Sequence, residues 1–293
     1  MPGSMIEPAG FNSIPETIQA FRDGQFIVVM DDPRRENEGD LIVAAEDVST
    51  EQMAFMIRHT SGIICAPLLP ARANRLALPP MVAHNEDPRG TAYTLTVDAA
   101  DAAVTTGISA HDRALTCRRL AQDDAELAAV VAAEAQAAAA TAAPPPPPPS
   151  AAAVPANGSR NGSGSATAAT AAVAAAAFRR PGHVLPLRAR PGGVRERRGH
   201  TEAGVDFCRL AGKRRVAVIS ELVDDGEPVP GEARHRNSGM LRGDGCVAFA
   251  QKWGLKVCTI SDLVAYLDKT QPNGASAFPG PTEDEEPAVA AAS

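Results

Sequence analysis

The chain alternates between short, almost wholly apolar runs and longer stretches in which apolar side chains return every three or four positions. Phe26–Met30, Ile63–Leu68 and Val216–Ser220 are runs of the first kind and predict buried strands, the last reinforced by its β-branched residues. Asp40–Ala45, His183–Leu187 and Lys256–Thr259 predict further strands, and the Thr/Tyr/Leu alternation of Thr91–Val97 predicts a half-buried one. Helical signals fill the gaps. Ser13 with Glu16 forms a capping-box signal for a helix ending at Gly24, and Ser49 with Gln52 caps a second, which carries Met53, Met56 and Ile57 on its apolar face and closes at Gly62. Ser109 caps a third, Thr201 a fourth ending near Gly212, a fifth covers about Gly245–Trp253, and Ser261 opens the last. Strands alternating with helices predict an α/β (α+β-like) layered sandwich, a mixed β-sheet flanked by helices.

Two stretches break the pattern. Residues 122–177 fall to alanine, then Pro144–Pro149, then the Gly/Ser-rich Asn157–Ser165, then alanine again, with few large apolar side chains to bury. Residues 271–293 form a Pro/Gly-containing tail with the acidic run Glu283–Glu286. The expectation is one catalytic domain, 1–121 with 178–270, interrupted by a disordered or loosely helical insert over 122–177 and followed by a disordered acidic tail. The insert interrupts one domain because the chemical motifs described next lie on both sides of it.

Composition narrows the class. The 28 basic and 35 acidic side chains give a net charge of −7, and no basic stripe is interleaved with aromatics, which argues against a nucleic-acid partner. No signal peptide and no run of about 18 strongly apolar residues is visible, so no membrane partner and a cytoplasmic location are expected. The five cysteines are scattered and never spaced Cys-x-x-Cys, as in neither a disulfide framework nor a zinc cage. No Gly-x-Gly-x-x-Gly or P-loop supports a nucleotide fold.

The densest chemistry is Arg35-Glu36-Asn37-Glu38-Gly39-Asp40, three carboxylates and a guanidinium directly after the first strand. Like charges so close are costly unless a cation or substrate uses them, although a solvated acidic turn has the same composition. Two later segments, Arg180–Pro186 and Gly199-His200-Thr201-Glu202-Ala203, each set a histidine beside glycine, where backbone can approach a ligand closely. Val104–Arg113, Ser61–Cys65 and Ile219–Leu222 complete an ordered set spread over most of the foldable sequence. Together these motifs resemble the 3,4-dihydroxy-2-butanone 4-phosphate synthase family of riboflavin biosynthesis. The resemblance is to its single-function form, since no zinc-type cysteine cluster follows.

The resemblance implies a lyase that converts D-ribulose 5-phosphate to L-3,4-dihydroxy-2-butanone 4-phosphate and formate with Mg2+ or Mn2+. It puts the metal on Glu36 and His200, acid–base chemistry on Asp40, Glu38 and Glu221, and Cys65 in the active-site wall. His183 is expected to act in the reaction from across a homodimer interface. Arg35, Glu36, Asp40, Thr106, Arg197, Arg198, Gly199, His200, Thr201 and Glu221 are expected around the sugar phosphate. The chemistry is coherent: carboxylate oxygens with one imidazole suit either ion, and a cation that grips both oxygens of an enediolate stabilises it more than the neutral ketose. Arg197 and Thr201, at a helix start, suit a phosphate. The residues alone leave Glu221 readable as a strand-end surface acid. They also fit a metal-dependent sugar-phosphate isomerase or aldolase that loses no carbon. A non-catalytic scaffold on the same fold would need a disrupted acid cluster or a basic face, and the chain has neither. Arg198 and His111, where the family often has small residues, and the insert are the departures from the pattern.

Overall fold

The computed structural model describes residues 10–141 and 166–272. Its elements are α1 (Ile14–Arg22), β1 (Ile27–Met30), β2 (Gly39–Ala44), α2 (Thr50–His59), β3 (Cys65–Leu68), α3 (Pro70–Arg75), β4 (Val97–Ala99), α4 (Ala110–Ala121), α5 (Asp124–Thr141) and α6 (Ala166–Ala176). They continue with β5 (Phe178–Arg188), α7 (His200–Ala211), β6 (Ala217–Glu221), the two-residue strands β7 (Val223–Asp224), β8 (Glu227–Pro228), β9 (His235–Arg236) and β10 (Gly239–Met240), then α8 (Asp244–Trp253), β11 (Lys256–Thr259) and α9 (Ile260–Thr270).

Seven strands form one mixed sheet in the order β11-β1-β2-β6-β3-β5-β4. β1 runs parallel to β11 and β3 to β5; the other neighbours are antiparallel. Successive side chains of a strand face opposite sides, and the core divides accordingly. Val28, Met30, Leu41, Val43 and Val218 pack with Met53, Met56, Leu120 and Cys246 on one face. Ile27, Val29, Ile42, Ala44 and Ile219 pack with Phe21, Ala203, Phe207 and Leu263 on the other. Helices therefore cover both sides, the layered sandwich that the alternation of strands and helices predicts. α7 lies close on the sheet because Gly204 has no side chain: a Cβ there would sit 2.9 Å from Ala217 Cβ.

Local signals hold where the cap is within the segment itself. Both capping boxes form, and Ser109 caps α4. Two caps differ from expectation. α7 starts at His200 with Gly199 as N-cap, so Thr201 lies inside the helix. Thr259, the last extended residue of β11, caps α9 by accepting from Asp262 N–H, leaving Ser261 in the first turn. The strand expected over Thr91–Val97 contracts to Val97–Ala99 with single bridges at Tyr93 and Thr94, because β5 offers Pro181 and Pro186 where a continuous ladder needs N–H donors.

The stretch expected to be a disordered or loosely helical insert is helical at both shoulders, and the helices are docked. α5 and α6 pack on each other, and Leu127 and Ala174 are fully buried in the core. Asp124 accepts from Arg75 Nε at 2.8 Å and also pairs with Arg72. Alanine favours helix strongly enough that these few anchors suffice. Residues 142–165, with Pro144–Pro149, lie outside the described residues, as does the tail from residue 273.

Candidate active site

Beyond Met30 the chain turns through the acidic hexapeptide before β2 returns antiparallel to β1. Asp31, buried at the exit of β1, organises the turn. Its Oδ2 accepts from the Arg35 guanidinium at 2.7 Å and from Glu36 N–H at 3.2 Å, while Oδ1 accepts from Glu38 N–H at 3.0 Å. Asn37 adopts φ 55°, a left-handed conformation that asparagine tolerates well. Glu36 is left between Arg35 and Arg89, and Glu38 accepts from Arg242 at 2.7 Å. Asp31, which holds this turn together, has no stronger sequence signal than an acid at the end of a buried strand.

Asp40 on β2 stands directly opposite Glu221 on β6, and opposed residues of an antiparallel pair project to one face with β-carbons about 5 Å apart. The face is that of Ile42 and Ile219, under α7. Asp40 is 2% exposed, and its carboxyl is held well above the ordinary value, first by burial and then by Glu221, Glu36, Asp31 and Glu38. Ser61 Oγ donates to Glu221 Oε2 at 2.7 Å. Cys65 is near this pair: burial, then the charges of Glu221 and Asp40, push its thiol well up, which suits a neutral wall better than a nucleophile.

His200 opens α7 and is 8% exposed. Its Nε2 lies 3.0 Å from the Val29 carbonyl, which can only accept, so Nε2 carries the proton and Nδ1 turns a lone pair toward Asp40 Oδ1 at 3.3 Å. Burial is the main cause that brings its pKa down to about 4, leaving the ring neutral at physiological pH. The 3.3 Å approach is a contact and not a made hydrogen bond, since Asp40 Oδ1 is buried without a hydrogen-bond partner. A neutral ring nitrogen whose tautomer is fixed by a backbone carbonyl, turned toward a cluster of carboxylates, is a donor that suits a hard divalent cation. Among the described residues no three His, Cys, Asp or Glu side chains converge as a ready-made metal cage.

The start of α7 supplies the cations. Arg197 donates to Glu202 Oε2 at 2.6 Å and to Thr91 Oγ1 at 3.0 Å, under Gly199, where a Cβ would strike the guanidinium. Arg198 is exposed and lines a pocket of about 310 Å³ with Arg34, Arg35, Arg89 and Ser261. Thr201 is buried in the first turn.

His183 stands apart. In the sheet order β5 is three strands from β2, roughly 14 Å at ordinary strand spacing, so His183 does not reach Asp40 of its own chain. It is joined instead by Asp98 of β4 at 2.9 Å and by the loop carrying Thr106, which Asp112 Oδ2 fixes by accepting from Thr105 Oγ1 and Gly107 N–H. The structure thus gathers Arg35, Glu36, Glu38, Asp40, Cys65, His200 and Glu221 at one place and His183 with Thr106 at another.

A buried Asp40 facing the partly buried Glu221 beside a neutral imidazole, on a sheet covered by helices on both faces, defines an acid–base enzyme site suited to a divalent cation. The family model for 3,4-dihydroxy-2-butanone 4-phosphate synthase matches residues 15–266. A synthase of that name from Pyricularia oryzae is 55% identical over 266 residues, covering 91% of this chain and 94% of its own length. The Saccharomyces cerevisiae synthase is 41% identical over 265 residues, covering 88% and 100%. A crystal structure of a 3,4-dihydroxy-2-butanone 4-phosphate synthase in complex with two magnesium ions aligns with a TM-score of 0.71 at 55% identity, covering 89% of this chain and 98% of its own. The chain belongs to the 3,4-dihydroxy-2-butanone 4-phosphate synthase family, enzymes of riboflavin biosynthesis.

Proposed function

We propose that this chain converts D-ribulose 5-phosphate into L-3,4-dihydroxy-2-butanone 4-phosphate and formate, with Mg2+ or Mn2+ held by Glu36 and His200. The carrying observation is Asp40: buried, opposite Glu221, its Oδ1 unpartnered beside the lone pair of His200. When bound, the cation offsets negative charge developing on adjacent sugar oxygens. Asp40 and Glu221 are carboxyls in unlike settings, one enclosed and one held by Ser61 at the strand end, and so divide the acid and base roles at the sugar carbons. Glu38, steadied by Arg242, adds to the negative field. Glu36, paired here with Arg35 and Arg89, would hold the ion with His200, and Arg35 would then be available to the sugar. Arg197, Arg198, Gly199 and Thr201 meet the phosphate at the positive end of α7, and Cys65 closes the wall.

His183 serves a second subunit in this reading, across a homodimer interface. The separation of β5 from β2 supports it, as do the exposed apolar side chains Ile63, Leu95 and Ile108 on the segments around His183. The site of action is the cytoplasm, in keeping with five free, buried cysteines. Among the described residues no helix is long and apolar enough to cross a membrane.

Purified protein incubated with ribulose 5-phosphate and MgCl2 is expected to release formate in step with the four-carbon phosphate, and to stop when EDTA is added. Consumption of substrate without formate would overturn the reading in favour of an isomerase or aldolase.

A further inference from the structure

We infer that Asp98 is the positioning residue that fixes His183 in a single orientation and tautomer, an assignment that rests on the reading of His183 as a participant in the reaction. Asp98 grips that histidine twice: Oδ1 accepts from His183 backbone N–H at 2.8 Å, and Oδ2 lies 2.9 Å from Nδ1. An ionised carboxylate can only accept, so the ring proton sits on Nδ1 and the lone pair on Nε2, directed away from Asp98. The two partners differ in burial as this arrangement requires. The Asp98 side chain is 10% exposed and the His183 side chain 41%, so the anchor is enclosed while the ring meets the surface.

The surroundings are built around this pair. A Cβ at Gly107 would lie 2.0 Å from Asp98 Oδ2 and 2.6 Å from His183 Nδ1, so glycine alone lets the 105–107 loop close over them. Asp112 draws that loop down by accepting from Gly107 N–H at 3.0 Å. A Cβ at Gly182 would lie 2.0 Å from the Val97 carbonyl carbon, so the glycine before His183 brings β5 against the strand that carries Asp98. Two glycines and Asp98 therefore enclose one imidazole, with Asp112 holding the loop over it, three strands away from Asp40 of its own chain.

Asparagine at position 98 keeps the shape and the acceptor for His183 N–H but turns an amide N–H₂ toward Nδ1, which favours the opposite tautomer. Asp98→Asn is expected to lower kcat by about 10- to 100-fold, the usual effect of losing such a supporting partner, with KM and Mg2+ dependence unchanged. ¹⁵N spectra of histidine-labelled protein, with the His183 signal identified by its absence in His183→Gln, should give the Nδ1–H form in wild type and the Nε2–H form in Asp98→Asn. A wild-type ring protonated on Nε2, or wild-type kcat in Asp98→Asn, overturns the assignment. Full turnover by His183→Gln would instead remove His183 from the reaction and leave the Asp98 contact purely structural.

Discussion

Replacing Asp40 with asparagine removes an ionisable group from a buried position ringed by carboxylates. Burial and four neighbouring carboxylates raise the wild-type carboxyl, so the folded protein holds this proton to higher pH than the unfolded chain, whose ordinary value is 3.8. Between those two values the unfolded state releases its proton first, and stability falls as pH rises. Two unit charges about 5.5 Å apart, the upper spacing for opposed strand residues, repel by about 3 kcal/mol at an effective dielectric of 20. Glu221 is only partly buried and is held by Ser61, so solvent removes part of that, and a net relief of about 1.5–2 kcal/mol is expected. In a domain of this size that corresponds to roughly 3–8 °C in Tm. The asparagine amide can also donate to His200 Nδ1, 3.3 Å away in the parent contact. Thermal melts in EDTA should therefore show Asp40→Asn above wild type, with the gap wider at pH 8 than at pH 5, while the formate assay registers no turnover. Mg2+ should narrow the gap by offsetting the repulsion in the wild type. A variant that melts at or below wild type throughout would show that the folded state carries no such penalty, and a variant with full activity would exclude Asp40 from the chemistry.

Asp31→Asn cannot accept from three donors at once, and losing one charge-assisted hydrogen bond of about 1.5–3 kcal/mol should lower kcat/KM by roughly 10- to 100-fold and weaken Mn2+ binding measured by electron paramagnetic resonance. Unchanged metal affinity would show that the acidic turn holds itself. Replacing residues 142–165 by a short Gly/Ser bridge should leave Tm and activity at wild-type levels, whereas Leu127→Ala, which empties a fully buried position, should cost about 2–4 kcal/mol in urea unfolding. An undiminished midpoint for Leu127→Ala would mean that α5 is not docked.

The sequence displays what is local and conceals what depends on register. Ser13 with Glu16 and Ser49 with Gln52 satisfy their own helix starts, so those helices can be read from a few residues. That Asp40 faces Glu221, or that His200 turns Nδ1 to Asp40, follows from strands and helices placed by long-range packing, which no periodicity encodes. The family resemblance supplies those residues; it does not supply Asp31 or Asp98, short acids in ordinary strand contexts whose role appears only with their hydrogen bonds. Composition allows loose helix at α5 and α6 but does not show that they dock. An alanine-rich stretch has little to bury, yet Leu127, Ala174 and the Asp124 pairing with Arg72 and Arg75 are enough to seat two helices.

α5 and α6 are rooted at Leu127 and Ala174, and α5 is exposed over residues 135–139. The pair forms a stalk whose base is cemented into the domain and whose tip receives whatever the intervening chain happens to be. Length and composition can drift there without disturbing the working edge of the sheet, which makes the tip a natural port for grafting a fluorescent reporter or a tether to a surface.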